Sequence, residues 1–386
     1  MTRLQSAGLL ALVCIALPAH AAKLQIDDKT TLNVGYLLQS QAVVAPKAAA
    51  DGESLGTDLF IRRSRIILSG SWNDKLSFFV ETDQPNLGKD AKFKLTDAPI
   101  YIQDAYATFK LNDALMIDTG LILLPFTHQA TQGAVSLNTL DYHSALVKYA
   151  PDSTLVWRDS GVQVRGQVLA GKLHYRVGVF NGTEGVAGQT DSAGNALNPV
   201  NPTDAPRLAG RIHYSILGKE NDFFLKGIYF TKDPIVTVGM DGNYQPQVFR
   251  ITEKDADGNV TGEHLADELS LGFDAFVDYP LNEKLEVIAQ ANYFMYQHDE
   301  AASAGSGFFA EAGVRIGKVE PLIYVDQLTS ASGKADVFGV HAGVNYWIKE
   351  HGANVKLDLG SVRTGDFSDE TNEAKLSATL QAQLLF

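Results

Sequence analysis

The last segment of the chain alternates without a break. Leu376, Ala378, Leu380, Ala382, Leu384 and Phe386 fall on one face; Lys375, Ser377, Thr379, Gln381 and Gln383 fall on the other. Period two marks a strand whose two faces meet unlike surroundings. The same alternation sets Leu269, Leu271, Phe273, Ala275, Val277 and Tyr279 against Glu268, Ser270, Gly272, Asp274 and Asp278. Leu173, Tyr175, Val177 and Val179 oppose Lys172, His174 and Arg176. Phe308, Ala310, Ala312, Val314 and Ile316 oppose Glu311, Gly313 and Arg315. No long segment of helical period competes.

About 16 such segments can be traced. They lie near 30–40, 58–71, 74–84, 100–111, 113–124, 159–169, 171–180, 206–216, 221–232, 267–280, 283–297, 306–317, 319–329, 335–349, 351–364 and 372–386. Very short turns, at Trp72-Asn73-Asp74, Asn112, Ala170-Gly171, Pro280-Leu281-Asn282 and His351-Gly352, alternate with long polar connections. The long ones are 41–57, 85–99, 125–158, 181–205, 233–266 and 298–305. This predicts an all-β fold: a transmembrane antiparallel β-barrel with short periplasmic turns and long external loops. An unpaired strand edge in hydrocarbon costs several kcal/mol per group, so the sheet must close. Tyr36, Tyr101, Tyr214, Tyr279, Tyr346 and Phe386 lie near strand ends, where interfacial aromatic girdles are expected. A barrel of this size is expected to leave a water-filled bore.

If the apolar faces meet lipid, the alternate residues line that bore. The candidate lining residues are Arg62, Arg63, Arg65, Glu81, Asp83, Asp104, Asp118, Arg165, Arg176, Arg211 and Arg315, with Lys226, Glu286, Gln290, Glu311, Lys356 and Asp358 among the others. Lys or Arg pointed at the bilayer midplane would cost roughly 2–4 kcal/mol, which constrains the assignment. Around Ile61-Arg62-Arg63-Ser64-Arg65-Ile66 both faces are mixed, so the register stays open. An arginine rail in the bore and an arginine snorkelling to the rim both fit. The connection 125–158 is unusually apolar and carries Pro125, Phe126, His128, Tyr142 and His143. It is expected to fold inward as a constriction loop, because a wide barrel otherwise leaves a wide hole.

Composition narrows the partners. The formal charge is −13, which argues against a nucleic-acid partner. The single cysteine, Cys14, allows neither an intramolecular disulfide nor a cysteine metal cage. Arg3, the apolar run Ala7–Leu17, Pro18 and Ala19-His20-Ala21 read as an export leader cleaved after Ala21. Residues 1–21 are thus expected to be removed and 22–386 to form the barrel domain. Gly166–Lys172 imitates a phosphate-binding loop, but Leu173 stands where Ser or Thr is needed and strand residues follow. Asp255-Ala256-Asp257-Gly258-Asn259 could hold Ca²⁺, but reads better as a turn. The histidines are dispersed. No catalytic residue, cofactor or metal is therefore expected.

Several short pieces together resemble a known family: Phe60-Ile61-Arg62-Arg63-Ser64-Arg65, then Gln103-Asp104-Ala105-Tyr106, then Gly120 with Pro125-Phe126, Arg158-Asp159-Ser160-Gly161-Val162, and the terminal Phe386. In order and spacing the chain resembles a Gram-negative outer-membrane porin, most of all the phosphate-selective porin O and P family. The resemblance implies a 16-stranded homotrimeric barrel with an inward third loop, set in the lipopolysaccharide-bearing outer membrane. It also implies passive uptake of small anions or polar solutes. Residues 125–147 carry no Lys or Arg, so phosphate-selective and general porins are both compatible. A barrel enzyme of lipase or protease type and a secreted carbohydrate-binding β-protein are the competing readings.

Overall fold

A computed structural model describes residues 22–94, 96–148, 157–185, 188, 199–298, 301 and 303–386. The expected leader, with Arg3 and Cys14, lies outside the described residues. The strands are β1 (Ala22–Gln25), β2 (Thr30–Ala45), β3 (Gly56–Trp72), β4 (Leu76–Asp83), β5 (Tyr101–Asn112), β6 (Leu115–Leu123), β7 (Arg158–Val168), β8 (Leu173–Phe180) and β9 (Arg207–Leu217). They continue with β10 (Ile235–Lys254), β11 (Val260–Asn282), β12 (Leu285–Tyr296), β13 (Gly305–Ile316), β14 (Val319–Ser330), β15 (Val337–Lys349), β16 (Ala353–Thr364) and β17 (Lys375–Leu385). Each strand from β2 to β17 pairs antiparallel with its sequence neighbour, and β17 pairs back onto β2. Sixteen strands thus close a barrel with no free edge in hydrocarbon. The short β1 pairs with residues 31–34 of β2, where β17 has ended, and so continues the line of the C-terminal strand.

One expected strand is corrected. Residues 221–232 form no strand, and the expected loop 233–266 is mostly the long hairpin of β10 and β11. The count of sixteen survives because one false strand replaces one missed strand. Gly239, Gly242 and Pro246 disguise β10 as a loop. Yet a Cβ at Gly239 would meet Arg211 Nη2 at 2.6 Å, so this glycine makes room for a charged side chain. Pro246 sits where the register shifts between Gln245 and Phe249, the place where a strand tolerates a missing donor. Asp255–Asn259 is the hairpin tip, with the Asp255 carboxylate accepting from the amides of Asp257 and Asn259.

The two faces separate as the alternation requires. Leu376, Leu380 and Leu384 point outward, while Gln381 and Gln383 are buried inside. Phe273, Tyr293 and Phe308 are cross-strand neighbours on the outer face. Tyr214, Tyr279, Tyr346 and Phe386 are exposed near the opposite rim, and Tyr36 packs on Phe386 at 5.7 Å. No helix among the described residues is long and apolar enough to cross a membrane; the crossing is made by strands.

Candidate functional site

The connection after β6 does not stay outside. Leu124, Phe126, Leu137 and Leu146 are almost fully buried within the barrel. Phe126 and Leu146 pack with Phe294, Phe309 and Leu328 of the wall. The loop is also pinned by polar contacts to nearly opposite walls. The amides of Thr127 and His128 donate to Asp241 and Asp274, at 2.9 and 3.1 Å. Farther on, Lys356 Nζ donates to the carbonyls of Leu137 and Thr139 at 2.6 and 2.8 Å. Asp141 accepts from Arg62 at 2.6 Å and from Arg63 at 2.5 Å. His143 meets Asp326 at 2.9 Å and stacks on Phe309 at 4.0 Å. Tyr142 donates its hydroxyl to the carbonyl of Gln132 at 2.7 Å. Pro125, Phe126, His128, Tyr142 and His143 therefore all sit in the barrel interior.

A second connection enters from the short-turn end. The stretch 218–234, which holds the residues expected to be a strand, turns inward and meets the third loop. Its Leu225 forms a parallel bridge with Gln132, and Gly227 donates its amide to Ser136 at 2.8 Å. Glu220 takes hydrogen bonds from Tyr229 at 2.8 Å and Thr237 at 2.9 Å, and pairs with His128 at 2.7 Å. Burial pushes the Glu220 carboxyl up, but His128 and its other partners more than offset this and hold it at about 2. Leu225 and Ile228 are buried here, not turned to lipid. Ile228 packs there with Phe276, Ile288 and Trp347 of the inner wall, an apolar patch inside the barrel. Lys226 consequently lies on this turn, paired with Asp222 at 2.8 Å. The two inward connections narrow the bore further than strand number alone implies.

The remaining candidates sit on the inner wall. A register shift between Gln39 and Ser40 places a bulge at Arg62, which settles the mixed faces. Arg62 and Arg63 can then both reach Asp141. Arg65 bridges Glu81 and Asp83, each at 2.8 Å, and Arg158 holds Asp104. Arg165, Arg176 and Arg211 are direct cross-strand partners on β7, β8 and β9. Like charges so opposed repel. Asp118 holds Arg165 at 2.8 Å, and Asp274 holds Arg211. Arg165 and Arg176 also lie over the ring of Phe223, at 5.0 and 4.8 Å. Arg315 pairs with Glu286. Glu220, Asp141 and Phe223 escaped the sequence reading, since they lie on connections whose inward course has no period to betray it.

A Ser–His contact is present among the described residues, without a carboxylate on the imidazole. Ser270 meets His298 at 3.1 Å, but the other ring nitrogen of His298 meets the Ser303 hydroxyl, not a carboxylate. Burial pushes that imidazole down to about 4.

A closed barrel with an apolar outside and a polar inside narrowed by an inward loop defines an outer-membrane porin, a passive channel. The comparisons agree. The phosphate-selective porin O and P family profile matches residues 34–215. No curated protein matches by sequence. Among solved structures, OmpF of Salmonella typhi, in complex with daunomycin, is similar with a TM-score of 0.60 and 14% identity, covering 95% of this chain and 100% of that one. An anion-selective porin from Comamonas acidovorans is similar with a TM-score of 0.59 and 11% identity, covering 93% and 100%. OprB of Pseudomonas putida is similar with a TM-score of 0.59 and 11% identity, covering 93% and 94%. The chain forms a passive outer-membrane channel with the porin fold, and over residues 34–215 it resembles the phosphate-selective porin O and P family.

Proposed function

We propose that small hydrophilic solutes diffuse through the space left between the two inward connections and the charged wall. Arg62, Arg63, Arg65, Glu81, Asp83, Asp104, Asp118, Arg165, Arg176, Arg211 and Arg315 line that route. Pro125, Phe126, His128, Tyr142 and His143 build its constriction. The reading is carried by one observation: the third loop is held across the bore, by Asp241 and Asp274 on one wall and by Lys356, Arg62 and Arg63 on the other. Liposome swelling tests it. Swelling should be fast for the smallest sugars and fall steeply with size. Equal rates for small and large sugars would mean that no such constriction exists.

The chain acts without catalysis, as a route and not an enzyme. We also infer that residues 1–21 are removed, which leaves Ala22 at the start of β1; N-terminal sequencing of the membrane form checks this. A homotrimer fits the family resemblance. A groove of about 800 Å³ on the outer wall, between Ile323, Leu359 and Leu376 and floored by Ala342 and Ala378, offers room for a neighbouring copy. Cross-linking in detergent tests that assembly.

A further inference from the structure

Charge inside the bore is unevenly matched. On β3–β9 the inward arginines meet carboxylates, except Arg176, whose Nη2 donates to the carbonyl of Phe223 at 2.5 Å. On β11–β16 the excess is reversed. Asp278, Glu311, Glu320, Asp326 and Asp358 turn inward, and among the described residues none has Lys or Arg at ion-pair distance. Their partners are neutral donors, imidazoles and, for Asp278, the neighbouring Glu286 carboxyl. The Tyr229 amide donates to Asp278 at 2.6 Å, and the Trp347 indole donates to Glu320 at 2.7 Å. The Tyr324 hydroxyl donates to Asp358 at 2.7 Å. His143 pairs with Asp326 and Glu311, and His341 pairs with Asp358 at 2.9 Å. Positive charge reaches this arc from Arg315, already held by Glu286, and from Lys356, whose ammonium sits on loop carbonyls.

Two further facts point the same way. The third loop brings no Lys or Arg between 125 and 147, so its compensation is limited to the His143 imidazole. Glu320 is fully buried, and among the described residues its Oε1, like Oδ1 of Asp326, accepts no hydrogen bond. A buried carboxylate without a paired cation is costly. Inside a channel the missing charge can be supplied by a mobile ion, and charged side chains in a narrow bore then set ion preference.

We propose that this porin prefers cations, and that the acidic arc on β11–β16 is the element that selects them. The proposal rests on the channel reading and adds the class of ion. It departs from the anion preference that likeness to phosphate-selective relatives would suggest. The mechanism is electrostatic: the arc raises the local concentration of small cations and repels anions from the same narrow path.

Reversal potential across a KCl gradient, with the refolded full chain in a planar bilayer, tests it. The expected result is a K⁺ permeability about threefold or more above that of Cl⁻. E320Q and D326N together should bring the ratio toward one. D51N, on an exposed external loop, should leave it unchanged. A chloride preference in the unaltered protein overturns the proposal. So does a cation preference that the paired substitution leaves intact. Should that variant fail to insert, the unaltered protein still decides: micromolar La³⁺ should block its current. Block by inorganic phosphate without block by La³⁺ overturns the proposal. A protein that conducts nothing would instead fail the channel reading itself.

Discussion

Leu225 on the inward turn donates its amide to the carbonyl of Thr131 on the third loop at 2.9 Å, and its own carbonyl accepts from Gly133 at 3.1 Å. Two connections that enter the barrel from opposite ends are thereby joined into one partition. The partition, more than either loop, sets how much of the bore stays open. Replacing residues 221–230 with a short Gly-Ser linker should therefore raise single-channel conductance by about twofold or more. Unchanged conductance would place the turn outside the solute path.

Asp141 holds two arginines at once. Burial pushes its carboxyl up, and the Arg63 and Arg62 guanidiniums reverse this and hold it below the usual carboxylate range. A depressed value contributes stability above the ordinary pKa of about 3.9, lost as pH falls toward the folded value. The anchor therefore holds throughout the neutral range. D141N leaves Arg62 and Arg63 without their carboxylate, at a cost of about 2–4 kcal/mol. The midpoint for heat-induced loss of the folded band in detergent gels should drop, and open-channel noise should rise. An unaltered midpoint would show the anchor to be dispensable.

His143 carries the opposite dependence. Burial lowers its pKa, but hydrogen bonds with Asp326 and Glu311 outweigh burial and raise it. A raised value contributes stability that is fully present below the ordinary imidazole pKa of about 6.5 and is lost as pH rises through the folded value. That end of the third loop should loosen as pH rises above the ordinary imidazole value. Recordings between about pH 6 and pH 9 should show current fluctuations that grow with pH, and H143Q should abolish the trend. A pH-independent trace from the unaltered protein would refute this.

Gly239 is required by its neighbours. A side chain there would collide with Arg211 Nη2 at 2.6 Å and Asp274 Oδ1 at 2.7 Å. G239L should break that ion pair and, through Asp274, loosen the hold on the His128 amide. Refolding yield should fall by half or more, whereas Leu at the exposed hairpin-tip position Gly258, which has no contacts to lose though its own turn is strained, should cost less. Equal yields would mean that the β9–β11 charge network tolerates crowding.

Most of the barrel was legible because each strand carries its two environments in its own alternation. Leu380 and Gln381 illustrate this: adjacent residues, one facing lipid and one buried within. What stayed hidden has physical causes. Gly239 and Pro246 mimic loop punctuation, yet serve charge packing and a bulge. Phe223, Leu225 and Ile228 mimic a strand, yet their apolar partners are inside the barrel. The bulge at Arg62 erased the local period, so the arginine register could be found only from the pairing of β2 with β3. Contacts such as Lys356 with Leu137, more than two hundred positions apart, leave no local trace at all.

The central claim is that this barrel is an open conduit under no external drive. Purified, refolded protein added to a planar bilayer under a small fixed voltage puts it to the most direct test. Discrete upward current steps of uniform size, scaling with salt concentration, are the predicted result. A membrane that takes up the protein, as judged by protease-protected fragments, yet stays electrically silent would contradict the account.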